Sequence, residues 1–217
     1  MRSKFTAMTV VLAACAVSNA ANILTISGPS PFGFFNPQVL VEGWTQTGTF
    51  TNVSITMPFE DNSLSGPISG VEGTVYLMNQ VGPTATPANE LAPPESVSGL
   101  TGSFSTVSLF SGLTLGPGTY YVVLFSTNGS PLSMSPEGSS TPVVTAASGV
   151  TALPDGLAFT TALFPPASNM SFNPPSSPGN MFINVTGDSS TVPEPGAAWF
   201  FGLGLVALVL RRRAVGP

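Results

Sequence analysis

The stretch Gly116-Pro117-Gly118-Thr119-Tyr120-Tyr121-Val122-Val123-Leu124-Phe125-Ser126-Thr127-Asn128-Gly129 decides the fold. Residues 120–125 are aromatic, β-branched or aliphatic without a break. Gly116-Pro117-Gly118 is a turn before the run, and Ser126-Thr127-Asn128-Gly129 is a turn after it, Asn-Gly being a strong tight-turn pair. A run this short and apolar on both faces reads as a central strand buried between two layers.

Two neighbouring stretches follow a strand period. Phe50, Val53, Ile55 and Met57 form a near-alternating inward face, with Ser54 and Thr56 turned outward. Val75 and Leu77 alternate with Thr74, Tyr76 and Met78. With 23 Gly and 22 Pro among its 217 residues, most of them in the body, the chain is interrupted too often there for sustained helices. Strands are expected at 22–27, 38–42, 47–57, 73–79, 103–110, 118–126, 143–147, 157–163 and 180–186. Short β-rich runs at this spacing predict an all-β fold, a β-sandwich of jelly-roll type. The proline-rich segments 80–98 and 165–179 read as long solvated loops.

Charge narrows the chemistry. The basic residues are Arg2, Lys4, Arg211, Arg212 and Arg213, so the body between Ala21 and Val192 holds no Lys, Arg or His. Its acids are Glu42, Glu60, Asp61, Glu72, Glu90, Glu95, Glu137, Asp155 and Asp188. Nucleic-acid binding, which needs cations to displace phosphate counterions, is excluded for such a body. So are Ser-His and Cys-His catalysis and the usual zinc sites, because the single cysteine is Cys15. No cofactor and no metal are expected, and the body reads as non-enzymatic.

Weaker constellations remain. Glu60-Asp61-Asn62 with Ser63 reads as an exposed turn or as oxygen ligands for calcium, though its spacing matches no calcium loop. A carboxylate pair acting on a glycoside is a hydrolase reading, but no pair is placed by spacing. Trp44, Tyr76, Tyr120 and Tyr121 read as core or as sugar-stacking rings, with Trp44 and Tyr121 the two singled out for stacking. Asn52, Asn128, Asn169 and Asn184 each open an Asn-x-Ser/Thr triplet.

The ends are built differently from the body. Met1-Arg2-Ser3-Lys4 is basic, 5–17 is apolar, and Ser18-Asn19-Ala20 is a small-residue site. This is a signal peptide, 1–20, with cleavage between Ala20 and Ala21. Leu12-Ala13-Ala14-Cys15 also reads as a lipobox, which would make Cys15 a lipidated residue. At the other end Pro193-Glu194-Pro195 is rigid and extended. An uncharged run at 196–210 follows and is expected to be a transmembrane helix. Arg211, Arg212 and Arg213 then stop it on the cytoplasmic side. The expected division is a signal at 1–20, a β-sandwich at 21–187 and a sorting tail at 188–217.

The order Pro-Glu-Pro, short apolar helix, arginine cluster, chain end resembles the PEP-CTERM sorting signal of Gram-negative bacteria. That resemblance implies exosortase, a membrane-embedded cysteine transpeptidase, as a transient partner, with Pro193, Glu194 and Pro195 as the recognised residues. It implies export across the inner membrane, anchoring by the tail, and delivery to the cell surface or extracellular polysaccharide. The body, through Phe50-Thr51-Asn52-Val53-Ser54-Ile55, Gly73-Thr74-Val75-Tyr76-Leu77 and 110–121, is similar to the choice-of-anchor domains carried by such tails. That similarity implies a sandwich and no activity. The expected role is structural or adhesive in an exopolysaccharide or biofilm matrix. A carbohydrate-binding surface module is the alternative.

Overall fold

The computed structural model describes residues 20–28, 38–59, 71–82, 84–100, 104–126, 143–154, 156–159 and 181–189. In chain order the strands are β1 (Ala21–Ser27), β2 (Gln38–Gln46), β3 (Phe50–Phe59), β4 (Val71–Met78), β5 (Glu95–Ser98), β6 (Ser105–Leu115), β7 (Gly118–Ser126), β8 (Val143–Ala146), β9 (Val150–Ala152), β10 (Gly156–Phe159) and β11 (Ile183–Ser189). All pairings among them are antiparallel.

They form two sheets. The first has the order β6-β3-β11-β1-β8, and the second β10-β2-β7-β4-β5, with β9 also paired to β2. β9 and β10 share one edge of β2: Thr45 faces Thr151 and Leu40 faces Leu157, and Leu153 N–H donates to Gly43 O at 2.7 Å between them. Among the described strands only the β4–β5 and β9–β10 connections stay within a sheet, and the others cross between sheets. Such crossing is a property of jelly rolls, but the strand count here exceeds the eight of that architecture.

β7 is central, with β2 on one side and β4 on the other. Its two faces feed two apolar clusters. Tyr120, Val122 and Leu124 join the main core between the sheets, which also takes Ile55 and Val185 from the first sheet. Val123 and Phe125 point the other way and pack with Val39, Val41, Tyr76, Met78 and Ala85. The second sheet is therefore apolar on both faces, as its unbroken hydrophobic runs require. The first sheet is one-sided. Val53, Ile55, Met57 and Phe59 are buried, while Ser54, Thr56 and Pro58 between them are partly exposed.

Three expectations are corrected. β2 continues past Glu42 to Gln46 and carries Trp44 into the core. β5 and β9 are additional strands without a periodic signal, because each is short and contributes one buried apolar side chain, Val97 and Val150. The segment 80–98 is not a free loop. Leu91 N–H donates to Leu77 O at 2.8 Å, Asn79 N–H to Asn89 O at 3.0 Å, and Pro87–Asn89 makes a 3-10 turn before β5. Backbone pairing to β4 orders a stretch whose prolines hide it from pattern analysis. The 165–179 loop, the signal peptide and the 196–210 helix lie outside the described residues. Among the described residues no helix is long and apolar enough to cross a membrane.

Gln46 ties the sheets together. Its side chain is 3% exposed. Oε1 accepts from Trp44 Nε1 at 3.0 Å, and Nε2 donates to Leu115 O at 3.0 Å and Gly116 O at 2.9 Å, where β6 of one sheet turns into β7 of the other. Gln46→Ala removes the partner of the buried Trp44 indole N–H and one donor from each carbonyl, Gly116 O keeping the Tyr120 hydroxyl at 2.7 Å, and is expected to cost about 2–4 kcal/mol. Urea denaturation of the variant should show a lower midpoint with an unchanged slope.

Candidate functional site

The body begins and ends at one place. Ala20 is exposed, and β1 opens at Ala21. β11, the last strand, runs antiparallel beside β1, and Ala21 faces Gly187. The segments that precede Ala21 and follow Ser189 therefore leave from the same pole of the first sheet. Both strands are central, since β11 also pairs with β3 and β1 with β8. Cys15, Pro193, Glu194, Pro195, Arg211, Arg212 and Arg213 lie outside the described residues. So do Glu60, Asp61, Asn62 and Ser63, and the triplets at Asn128 and Asn169.

The two candidate stacking rings do not meet. Trp44 is fully buried and stacks on Tyr120 across the β2–β7 pair, with ring centroids 5.5 Å apart and planes inclined by 29°. A ring enclosed on both faces offers nothing to a sugar, and the stacking expectation for Trp44 is corrected. Tyr121 is half-buried on the opposite face of that sheet, beside the second cluster. Its ring lies over Gly43, where an added Cβ would come within 2.8 Å of it. Gly43 is thus fixed by that close approach.

Glu42 is a fully buried carboxylate, 0% exposed, on the same face of β2 as Leu40 and Trp44. Oε1 accepts from Gly43 N–H at 3.2 Å and Oε2 from Met181 N–H at 3.2 Å. It fastens β2 to the entry of β11, which is a strap between sheets. Among the described residues no group of His, Cys, Asp or Glu could hold a metal ion.

The outer face of the first sheet carries an uncharged polar surface that alternation along single strands does not reveal. Register places Thr145, Thr25, Asn184, Thr56 and Ser108 in one row across β8, β1, β11, β3 and β6. A second, shorter row is Asn22, Thr186 and Ser54. Thr25 Oγ1 lies 2.8 Å from Asn184 Oδ1 and 2.9 Å from Asn22 Oδ1, and its one hydrogen serves one of them at a time. No charged side chain stands in either row. The signal was present as Thr25/Ser27, Ser54/Thr56 and Asn184/Thr186, each pair spaced by two.

Residues 191–213 match the PEP-CTERM protein-sorting motif. The motif implies export, membrane anchoring before processing, and exosortase as the processing enzyme. No curated protein and no solved structure matches the chain.

Tyr76, 4% exposed on the second cluster, gives the body an alkaline limit. Burial pushes its hydroxyl up to about 12, and the Glu90 carboxylate adds to the effect. Burial also raises Tyr120. Below pH 10 Tyr76 is neutral in both states. From pH 10 to 12 the unfolded chain loses its proton first, so stability falls by about 1.4 kcal/mol per pH unit. Melting curves at pH 9 and pH 11.5 should show this loss, and Tyr76→Phe should remove most of it.

Proposed function

We propose that this chain is an exported bacterial surface or extracellular-matrix protein, processed by exosortase at Pro193-Glu194-Pro195, with a structural or adhesive role. The match of residues 191–213 to the sorting motif carries the proposal. In this reading 1–20 is a signal peptide, 196–210 a transmembrane helix, and Arg211–Arg213 its cytoplasmic stop.

The body's boundaries support that division. β1 starts at Ala21, so cleavage after Ala20 removes none of the described strands. β11 ends at Ser189, so cleavage at the Pro-Glu-Pro motif leaves every described strand in place as well. The absence of Lys, Arg, His and Cys between Ala21 and Val192 favours a non-catalytic body with no cofactor. The similarity to choice-of-anchor domains and the jelly-roll description belong to this proposal as well. A sugar-binding module is the second reading, favoured by the uncharged hydroxyl and amide rows on the first sheet.

Intact-mass spectrometry of protein recovered from the membrane, surface and medium of its native host tests the sorting. The expected species begins at Ala21 and ends within 193–195. A species that starts at a lipidated Cys15 and keeps Arg211–Arg213 overturns it. Replacing Pro193-Glu194-Pro195 by alanines should leave the full tail on the protein and hold it in the membrane fraction.

A further inference from the structure

The outer face of the first sheet is not flat. A groove of about 270 Å³ opens on it, lined among others by Thr25, Ser27, Thr56, Thr106, Asn184 and Phe182. Its floor is the middle of the five-residue row. Asn184 uses its Oδ1 for Thr25, and its Nδ2 has no partner among the described residues. Thr56 likewise has no side-chain hydrogen bond among them. Among its described lining residues the groove thus offers donors and acceptors together and no charge. Phe182 and Pro58 supply apolar surface beside them.

We propose that this groove binds a neutral polysaccharide laid across the strands. The proposal rests on the sugar-binding reading and gives it a location. Three observations select the ligand. First, no cation exists between Ala21 and Val192 to hold an anionic polymer. Second, hydroxyl and amide groups complement a ligand whose own groups are hydroxyls, each able to donate and accept. The ring of Phe182 complements the apolar C–H face of a pyranose in the same way. Third, the row repeats at the strand spacing of roughly 4.8 Å, so five residues span about 19 Å. A repeating polymer meets a repeating row, whereas a single small molecule would use one or two of its members. A peptide adding to the sheet would use a strand edge instead of this face.

The test uses the full chain, solubilised in a polyoxyethylene-ether detergent whose head group carries no sugar. Retention is measured on amorphous cellulose, a galactomannan and a neutral α-glucan, with alginate as the anionic comparison. The expected result is retention by at least one neutral polymer, unchanged between low and high salt because no charges are involved. Thr56→Val with Asn184→Ala should weaken retention tenfold or more at an unchanged melting temperature. Thr106→Val, exposed at the rim, should weaken it severalfold and guards against misfolding of the double variant. Asp188→Asn, outside the groove, should change nothing. Retention by alginate alone overturns the groove and spares the sugar-binding reading, and retention by no polymer overturns both. Neutral-polymer retention that Thr56→Val, Asn184→Ala and Thr106→Val all leave intact overturns the groove and spares that reading. Neither outcome bears on the mature ends, which mass spectrometry reads separately.

Discussion

Between Ala21 and Val192 every acid lacks a cationic partner within the body, because the segment contains none. Cohesion there depends on apolar packing and on hydrogen bonds between neutral groups and the backbone. The buried polar side chains show how this is managed. Glu42 is held by two backbone N–H groups, one next to it and one from the approach to β11. Gln46 satisfies an indole N–H and two carbonyls at the β6–β7 turn. A buried group left without such partners would cost more than most single contacts supply. Each of these two side chains also spans the sheets, so the polar interior sets their relative position while the apolar interior supplies the bulk of the stabilisation.

The two faces of the second sheet follow from the same constraint. With few charges available to keep a face wet, the second sheet is apolar on both sides and is covered on both. The first sheet solves the matter differently, using Thr, Ser and Asn as its outer residues. The result is an asymmetric sandwich in which one outer face is packed and the other is hydrated without being charged.

Much of this was legible in the sequence, and the exceptions have physical causes. β7 was read with its observed bounds because both faces are apolar and turns close both ends. A carboxylate followed by glycine looks like the end of a strand, so the sequence points to a β2 that stops at Glu42. Only the structure shows a carboxylate satisfied by backbone donors in the core. β5 and β9 carry too few apolar residues to show a period. The polar row was invisible for a different reason. Alternation tells which residues share a face of one strand, but not which residues of other strands lie beside them. Here bulges shift the register between Asn22 and Leu24 and between Thr186 and Asp188. The strain at β3 is of that kind too, with Asn52 at φ 50° where its register with β6 slips. The sorting motif was legible because it is a local signal, read from consecutive residues without folding anything.

The pairing of β11 between β1 and β3 has a bearing on the order of events. The first strand of the body must wait for the last, some 160 residues later, before the first sheet can close. Contacts of such long sequence separation make folding slow. A chain that stops short of residue 183 leaves β1 and β3 with facing open edges, the kind of surface that promotes aggregation. The sorting motif lies immediately beyond β11. Every chain long enough to carry the address therefore also carries the strand that completes the sheet, and a chain interrupted before residue 183 lacks both.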